Sequence, residues 1–271
     1  MNHKVNITQK DIAVVLCCII FLLTSLGAVG SSSRRQAKEA VCLSNLRQWG
    51  IAFGMYTNDN NGYFFTGESG GTRSLMGNGR FWRNCMRPYC KDAKIWICPQ
   101  TVKPVRGASL PPEYWSNTMW ELDNEAGSYG INGWILNLSA SQNPANRTNG
   151  WGRTPAEWHW GTPNVKDANN IPVFCGMWWT EAWPRATDLP PPNGAGPGNT
   201  PGFYEMSRAC VNRHNGAVNC VFMDWSARKI GLKELWTLKW HRNYKTAGPW
   251  TKPGGVKPAN WPQWMKKFKD Y

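Results

Sequence analysis

An unbroken apolar run, Ile12–Gly30, stands behind a short polar leader, Met1–Asp11. Its length, about 19 residues, approaches the roughly 20 that an α-helix needs to cross a bilayer. The run passes without a proline into a polar segment, Ser31–Tyr56. Within that segment the apolar residues Cys42, Leu46, Trp49, Phe53 and Tyr56 recur in steps of 4, 3, 4 and 3, the spacing of one helix face. The pattern predicts one long helix. It reads as a cytoplasmic leader at 1–11, a transmembrane half at 12–30 and an extramembrane half at 31–56. Thr57-Asn58-Asp59-Asn60-Asn61-Gly62 ends the helix, because Asn and Gly accept the left-handed backbone that a C-cap needs. A cleaved secretory signal is the rival reading, although its apolar core is usually only about 7–15 residues. The single-pass reading places the C-terminal part outside the cytoplasm.

Residues 57–271 form the rest, enough for one sizeable domain with long excursions. The whole chain holds 27 Gly, 19 Pro and 18 Trp, with only 18% charged residues, and reads as loop-rich and aromatic-rich but folded. Lys94–Pro99 and Ile171–Trp179 read as strands, and Val218–Trp225 with Lys229–Leu232 as a hairpin. Phe81–Cys90 and Glu234–Arg242 read as short helices. The stretches 142–168 and 184–201 read as insertion loops. The tail from Asn243 to Tyr271, with Trp250, Trp261 and Trp264, reads as a wrap over the domain. The fold class is therefore α+β: a long N-terminal membrane-spanning helix packed on a small antiparallel β-sheet with long irregular loops.

The net charge of +14 raises the question of nucleic acid. The basic residues are scattered, with no block before Lys266-Lys267-Phe268-Lys269. No nucleic-acid partner is expected. Acidic glycans or lipid head groups suit an exported domain better.

Of nine cysteines, Cys17 and Cys18 lie in the apolar run, which leaves Cys42, Cys85, Cys90, Cys98, Cys175, Cys210 and Cys220. The spacings contain no C-x-x-C and no zinc-ribbon pattern, so disulfides are the default expectation and no metal is expected. Cys42 with Cys98 is the leading pair, tying the helix stripe to a strand end. It would close a loop of about 55 residues and contribute about 3–4 kcal/mol. Cys85 with Cys90, and Cys210 with Cys220, are further candidates.

His214 and Asp224 could act as a ligand or acid/base pair, or could each cap one end of the intervening strand. Ten residues of extended chain would hold them about 30 Å apart, which favours the structural role. Trp178, Trp179 and Trp183 lie in or near predicted loops. They could form a glycan-stacking face, the alternative function being a membrane-anchored extracellular carbohydrate-binding module. The other option is that they serve as core. No motif of an enzyme or a cofactor site is present.

Two segments together carry a family resemblance. Ala40-Val41-Cys42-Leu43-Ser44-Asn45-Leu46-Arg47-Gln48, followed by Tyr56-Thr57-Asn58-Asp59-Asn60-Asn61-Gly62-Tyr63, resembles the post-membrane helix of type IV pilin-like and type II secretion pseudopilin-like proteins of the planctomycete type. Arg213-His214-Asn215-Gly216, with nine residues between His214 and Asp224, resembles their C-terminal H-x9-DG element. The resemblance implies a long helix on an antiparallel sheet, anchorage in the bacterial inner membrane with a periplasmic or extracellular domain, and a structural, non-enzymatic role. It also implies a homo-oligomer or filament formed through the N-terminal helix. In true pilins an acidic residue near the mature N-terminus pairs with a neighbour's amine. Alignment on Cys42 puts Asp11 at that assembly position and Ile7 at the mature start. Asn6 stands where the prepilin pattern has Gly, and Trp225 follows Asp224 where the family has Gly.

Overall fold

A computed structural model describes residues 8–66, 82–101, 119–122, 125–140, 147, 155–192 and 205–271, without the side chains of residues 25–29, 31, 121 and 122. Asn6, Ile7, Phe81 and the stretches 142–146, 148–154 and 193–201 of the insertion loops fall outside the described residues.

The dominant element is α1, Gln9–Asp59, one uninterrupted helix of 51 residues. A capping box opens it. The Asp11 amide donates to Thr8 Oγ1 at 3.3 Å, and the Thr8 amide donates to Asp11 Oδ2 at 2.8 Å, which satisfies two otherwise orphaned donors. At the far end the Gly62 amide donates to the Thr57 carbonyl at 2.7 Å. Asn61 and Gly62 both have positive φ, 55° and 80°, so the chain leaves through the left-handed turn that the Asn-Asn-Gly sequence permits.

The membrane assignment is corrected by α1. No helix among the described residues is long and apolar enough to cross a membrane. The described apolar run, Ile12–Thr24, rises about 20 Å, short of the roughly 30 Å of bilayer hydrocarbon. The transmembrane helix and the single-pass inner-membrane location are therefore not supported by this structure.

The stripe on the second half of α1 is buried: Leu46, Trp49 and Phe53 are fully inaccessible, and Cys42 and Tyr56 nearly so. It lies on a five-stranded sheet built from β3 (Tyr129–Asn132), β4 (Pro172–Gly176), β5 (Glu181–Ala182), β6 (Ala217–Phe222) and β7 (Ala227–Gly231), in the order β5-β3-β4-β6-β7. A separate hairpin joins β1 (Trp120–Leu122) and β2 (Glu125–Gly127). The purely antiparallel sheet expected from sequence is corrected to a mixed one. β3 runs antiparallel to β4, and β5 then pairs parallel on the other edge of β3, with Ile131 opposite Glu181. After β4 the chain crosses over β3 to reach that edge. Gly130 makes the crossing possible, since a Cβ there would lie 2.4 Å from the Trp179 carbonyl oxygen.

Lys94–Pro99 is not a strand. Ala93–Trp96 forms a 3-10 turn capped by Asp92, whose Oδ1 accepts from the Lys94 amide at 2.9 Å. Ile95 and Trp96 are nevertheless buried against α1, where Trp49 Nε1 donates to the Ile95 carbonyl at 2.8 Å. Leu232–Thr237 is likewise a 3-10 helix. The core is aromatic. The Trp49 ring lies 4.6 Å from Phe174 on β4, 4.9 Å from Trp96 and 5.9 Å from Trp82, in the tilted and edge-on arrangements that ring quadrupoles favour. The tail does pack on the domain. Trp261 and Met265 are buried, Trp264 Nε1 donates to the Pro191 carbonyl, and Lys233 Nζ pairs with Asp270 at 2.7 Å.

Candidate functional site

Three elements deliver one buried cluster. The α1 stripe places Cys42 against the sheet. The chain leaving the 3-10 turn places Cys98, whose amide donates to Ser128 Oγ at 2.5 Å. The tight loop before β6 turns His214 inward: its amide donates to the Ala217 carbonyl, and Asn215 and Gly216 follow at φ 52° and 81°. The ligand atoms of Cys42, Cys98 and His214 all lie within 4.8 Å of one another. His214 Nε2 is 3.5 Å from Cys98 Sγ, and the Tyr129 hydroxyl donates to Cys42 Sγ at 3.2 Å.

A polar shell surrounds the three. Glu39, one turn before Cys42 on α1, brings a carboxylate oxygen to 4.0 Å from His214 Nδ1. The same carboxylate pairs with Lys229 at 2.9 Å. Arg213 is buried and donates to the Ser128 and Met177 carbonyls. The Asn219 side chain lies against the Cys42 sulfur. The shell separates the two thiols. A hydrogen bond from Cys42, then His214 and the Arg213 charge, hold the Cys98 thiol well below the usual range. Donation to Cys98, followed by burial, pushes Cys42 up.

A thiolate, an imidazole and a carboxylate in sequence also describe a nucleophilic triad. Burial argues against that use, since Cys98 is 0% and Cys42 1% exposed. Two described clefts lie elsewhere, one of about 610 Å³ lined by Tyr56, Phe65 and Tyr89, another of about 520 Å³ lined by Asn137, His159 and Arg242, while a third of about 420 Å³, lined by Asn215, Gly216 and Lys229, borders the loop that carries His214. The cluster can hold helix, turn and sheet together, and it offers soft ligands to an ion.

The other sequence-predicted residues are dispersed. All nine cysteines are free thiols in this structure. Cys42 and Cys98 adjoin as expected. Cys90 is buried and Cys85 half-buried near Tyr56. Cys220 faces Cys175 across the β4–β6 register rather than Cys210, which is buried elsewhere. His214 and Asp224 lie at opposite ends of β6. Asp224 is exposed and caps the hairpin turn, its Oδ1 accepting from the Ser226 amide at 3.0 Å. Asp11 is exposed and engaged with Thr8, which holds its carboxyl below the usual value. Trp183 is buried and its ring covers Gly133, where a Cβ would lie 2.1 Å away. Trp178 and Trp179 are half-buried and tilted 57° to each other, so the three indoles do not share one stacking plane.

Sequence reasoning did not find Tyr129, Arg213, Asn219 or Glu39. The helical spacing of Glu39 and Cys42 and the adjacency of Arg213 to His214 were the available signals. No family model, curated protein or solved structure matches this chain.

Proposed function

We propose that this chain is a structural, non-enzymatic subunit, similar to pilins and pseudopilins, that assembles with further copies of itself through the first half of α1. One observation carries the reading: α1 is continuous, yet among the described residues only its second half is buried. Ile12, Leu16, Ile20 and Leu23 are 51%, 53%, 60% and 63% exposed. Successive residues point about 100° apart around a helix, so Ile19–Leu23 present apolar surface on every side. A helix that is apolar all round belongs in an interior. Each covered aliphatic side chain contributes about 1.5–3 kcal/mol. Four per copy therefore offset a large part of the association cost. A single partner would cover one stripe only, which favours a bundle of several copies over a dimer. Asp11, at the tip of the rod, is the charged contact in this reading.

Sedimentation velocity of the full chain at micromolar concentration tests it. Large assemblies are expected, falling to monomer in the double variant Leu16→Glu, Ile20→Glu, with the domain's tryptophan fluorescence unchanged. A wild-type chain that stays monomeric across the concentration range refutes the proposal.

A further inference from the structure

The geometry points to a zinc site at Cys42, Cys98 and His214, with Glu39 as the carboxylate that orients the histidine.

Tetrahedral zinc holds sulfur at about 2.3 Å and imidazole nitrogen at about 2.0–2.1 Å, so the sulfur–nitrogen edge of its coordination shell is about 3.6 Å. Cys98 Sγ and His214 Nε2 are 3.5 Å apart, and the Cys42 sulfur falls within 4.8 Å of both. The three ligand atoms already sit close to the spacing that a bound ion would impose.

A disulfide would use Cys42 and Cys98 alone. It would not account for the third ligand atom, nor for what lies behind it. Metal-bound histidines characteristically donate their second ring N–H to a carboxylate, which fixes the tautomer and aims the ring. Glu39 faces His214 Nδ1 at 4.0 Å, a nitrogen that is buried and makes no hydrogen bond among the described residues. Lys229 in turn steadies Glu39. On the sulfur side, the Tyr129 hydroxyl donates to Cys42 at 3.2 Å, as donors to metal thiolates do. Asn219, 1% exposed, also lies against the Cys42 sulfur. Two thiolates and an imidazole are a soft set that selects zinc over calcium or magnesium. Thiols bind the ion as thiolates, so uptake is accompanied by proton release to solvent. The ion would pin α1, the turn after Trp96 and the loop before β6 at one point, as structural zinc does.

The test uses the full chain purified under reducing conditions. Elemental analysis should find one zinc per chain. Cobalt substitution should produce thiolate-to-cobalt absorption in the near ultraviolet and the visible bands of tetrahedral cobalt. Glu39 is half-buried at the rim, so Glu39→Gln should fold normally and weaken zinc affinity by roughly 10–100-fold, as measured by chelator competition. His214→Ala should lose the tetrahedral cobalt spectrum. A folded, reduced wild-type chain that takes up neither zinc nor cobalt overturns the assignment. So does a Glu39→Gln chain whose zinc affinity equals that of wild type. A quantitative Cys42–Cys98 disulfide in the protein as isolated from its own cells also overturns it. None of these outcomes bears on assembly through α1.

Discussion

Three glycines in α1 should respond to the same substitution in three different ways. Glycine in a helix interior is about 1 kcal/mol less favourable than alanine. The local term therefore predicts that each Gly→Ala change stabilises. Tertiary packing decides otherwise at one position. A Cβ at Gly30 would meet nothing within 4 Å. At Gly54 it would lie 3.3 Å from Trp225 Nε1, a side-chain atom able to shift by a few tenths of an ångström. At Gly50 it would lie 2.7 Å from the Trp225 carbonyl oxygen and 3.4 Å from Val221 Cγ1. That carbonyl belongs to the turn between β6 and β7, where Trp225 is held at φ 65°, so backbone must move. Overpacking of this kind costs about 1–3 kcal/mol and occasionally more, which exceeds the helical gain. Gly50→Ala should therefore lose about 1–2 kcal/mol in urea unfolding followed by tryptophan fluorescence. Gly54→Ala should fall within about 1 kcal/mol of wild type. Gly30→Ala should slow amide exchange in the first half of α1 by up to about fivefold, the equivalent of about 1 kcal/mol. A Gly50→Ala chain as stable as wild type, or more so, would show that α1 does not rest on the hairpin turn at this distance, and the packing argument would fail.

Stability should fall as the solution is acidified between about pH 6.5 and 4. His159 is buried, and desolvation lowers its pKa from 6.5 to about 4. The unfolded chain binds the proton first in that window, so the folded state loses about 3 kcal/mol from this residue as pH drops. His241, lowered to about 3 mainly by burial, acts in the same direction. Asp188, raised by burial to about 6, acts in the opposite one, its contribution being present below pH 3.8 and lost as pH rises through 6. His159→Gln should flatten the urea midpoint between pH 7 and 4.5 relative to wild type, and parallel curves would exclude the assignment. Trp49→Phe keeps an aromatic ring but strands the buried Ile95 carbonyl that Trp49 Nε1 reaches at 2.8 Å. A loss of about 2–4 kcal/mol is expected in thermal unfolding, and a change below 0.5 kcal/mol would contradict it. Lys233 has a side chain 0% exposed, bonded to Asp270 and 4.9 Å from the Trp261 ring. Lys233→Ala should cost about 3 kcal/mol and open the segment after Val256 to limited proteolysis, while unchanged cleavage would refute a tethering role.

Local physics made part of this legible in the sequence. The 4-3-4-3 stripe from Cys42 to Tyr56 is buried, because helical periodicity reports which face meets a core whatever that core contains. The Asn-Asn-Gly stop and the Asn215-Gly216 turn before β6 follow from residues that tolerate positive φ. Lys94–Pro99 misled because a short apolar run suits a strand or a buried turn equally, and Asp92 decided for the turn. The apolar leader misled because its length suggested a bilayer, whereas no helix among the described residues is long and apolar enough to span one.

The sequence alone determined a long helix with one striped half, its end, and the strands β4, β6 and β7, since these depend on contacts between near neighbours in the chain. The tertiary structure alone decided that β5 returns parallel beside β3 and that His214 meets Cys42 and Cys98. It also decided that Cys220 faces Cys175. Those pairings join residues far apart in the chain, and they are selected by strand register and close packing, neither of which leaves a periodic trace in the order of the amino acids.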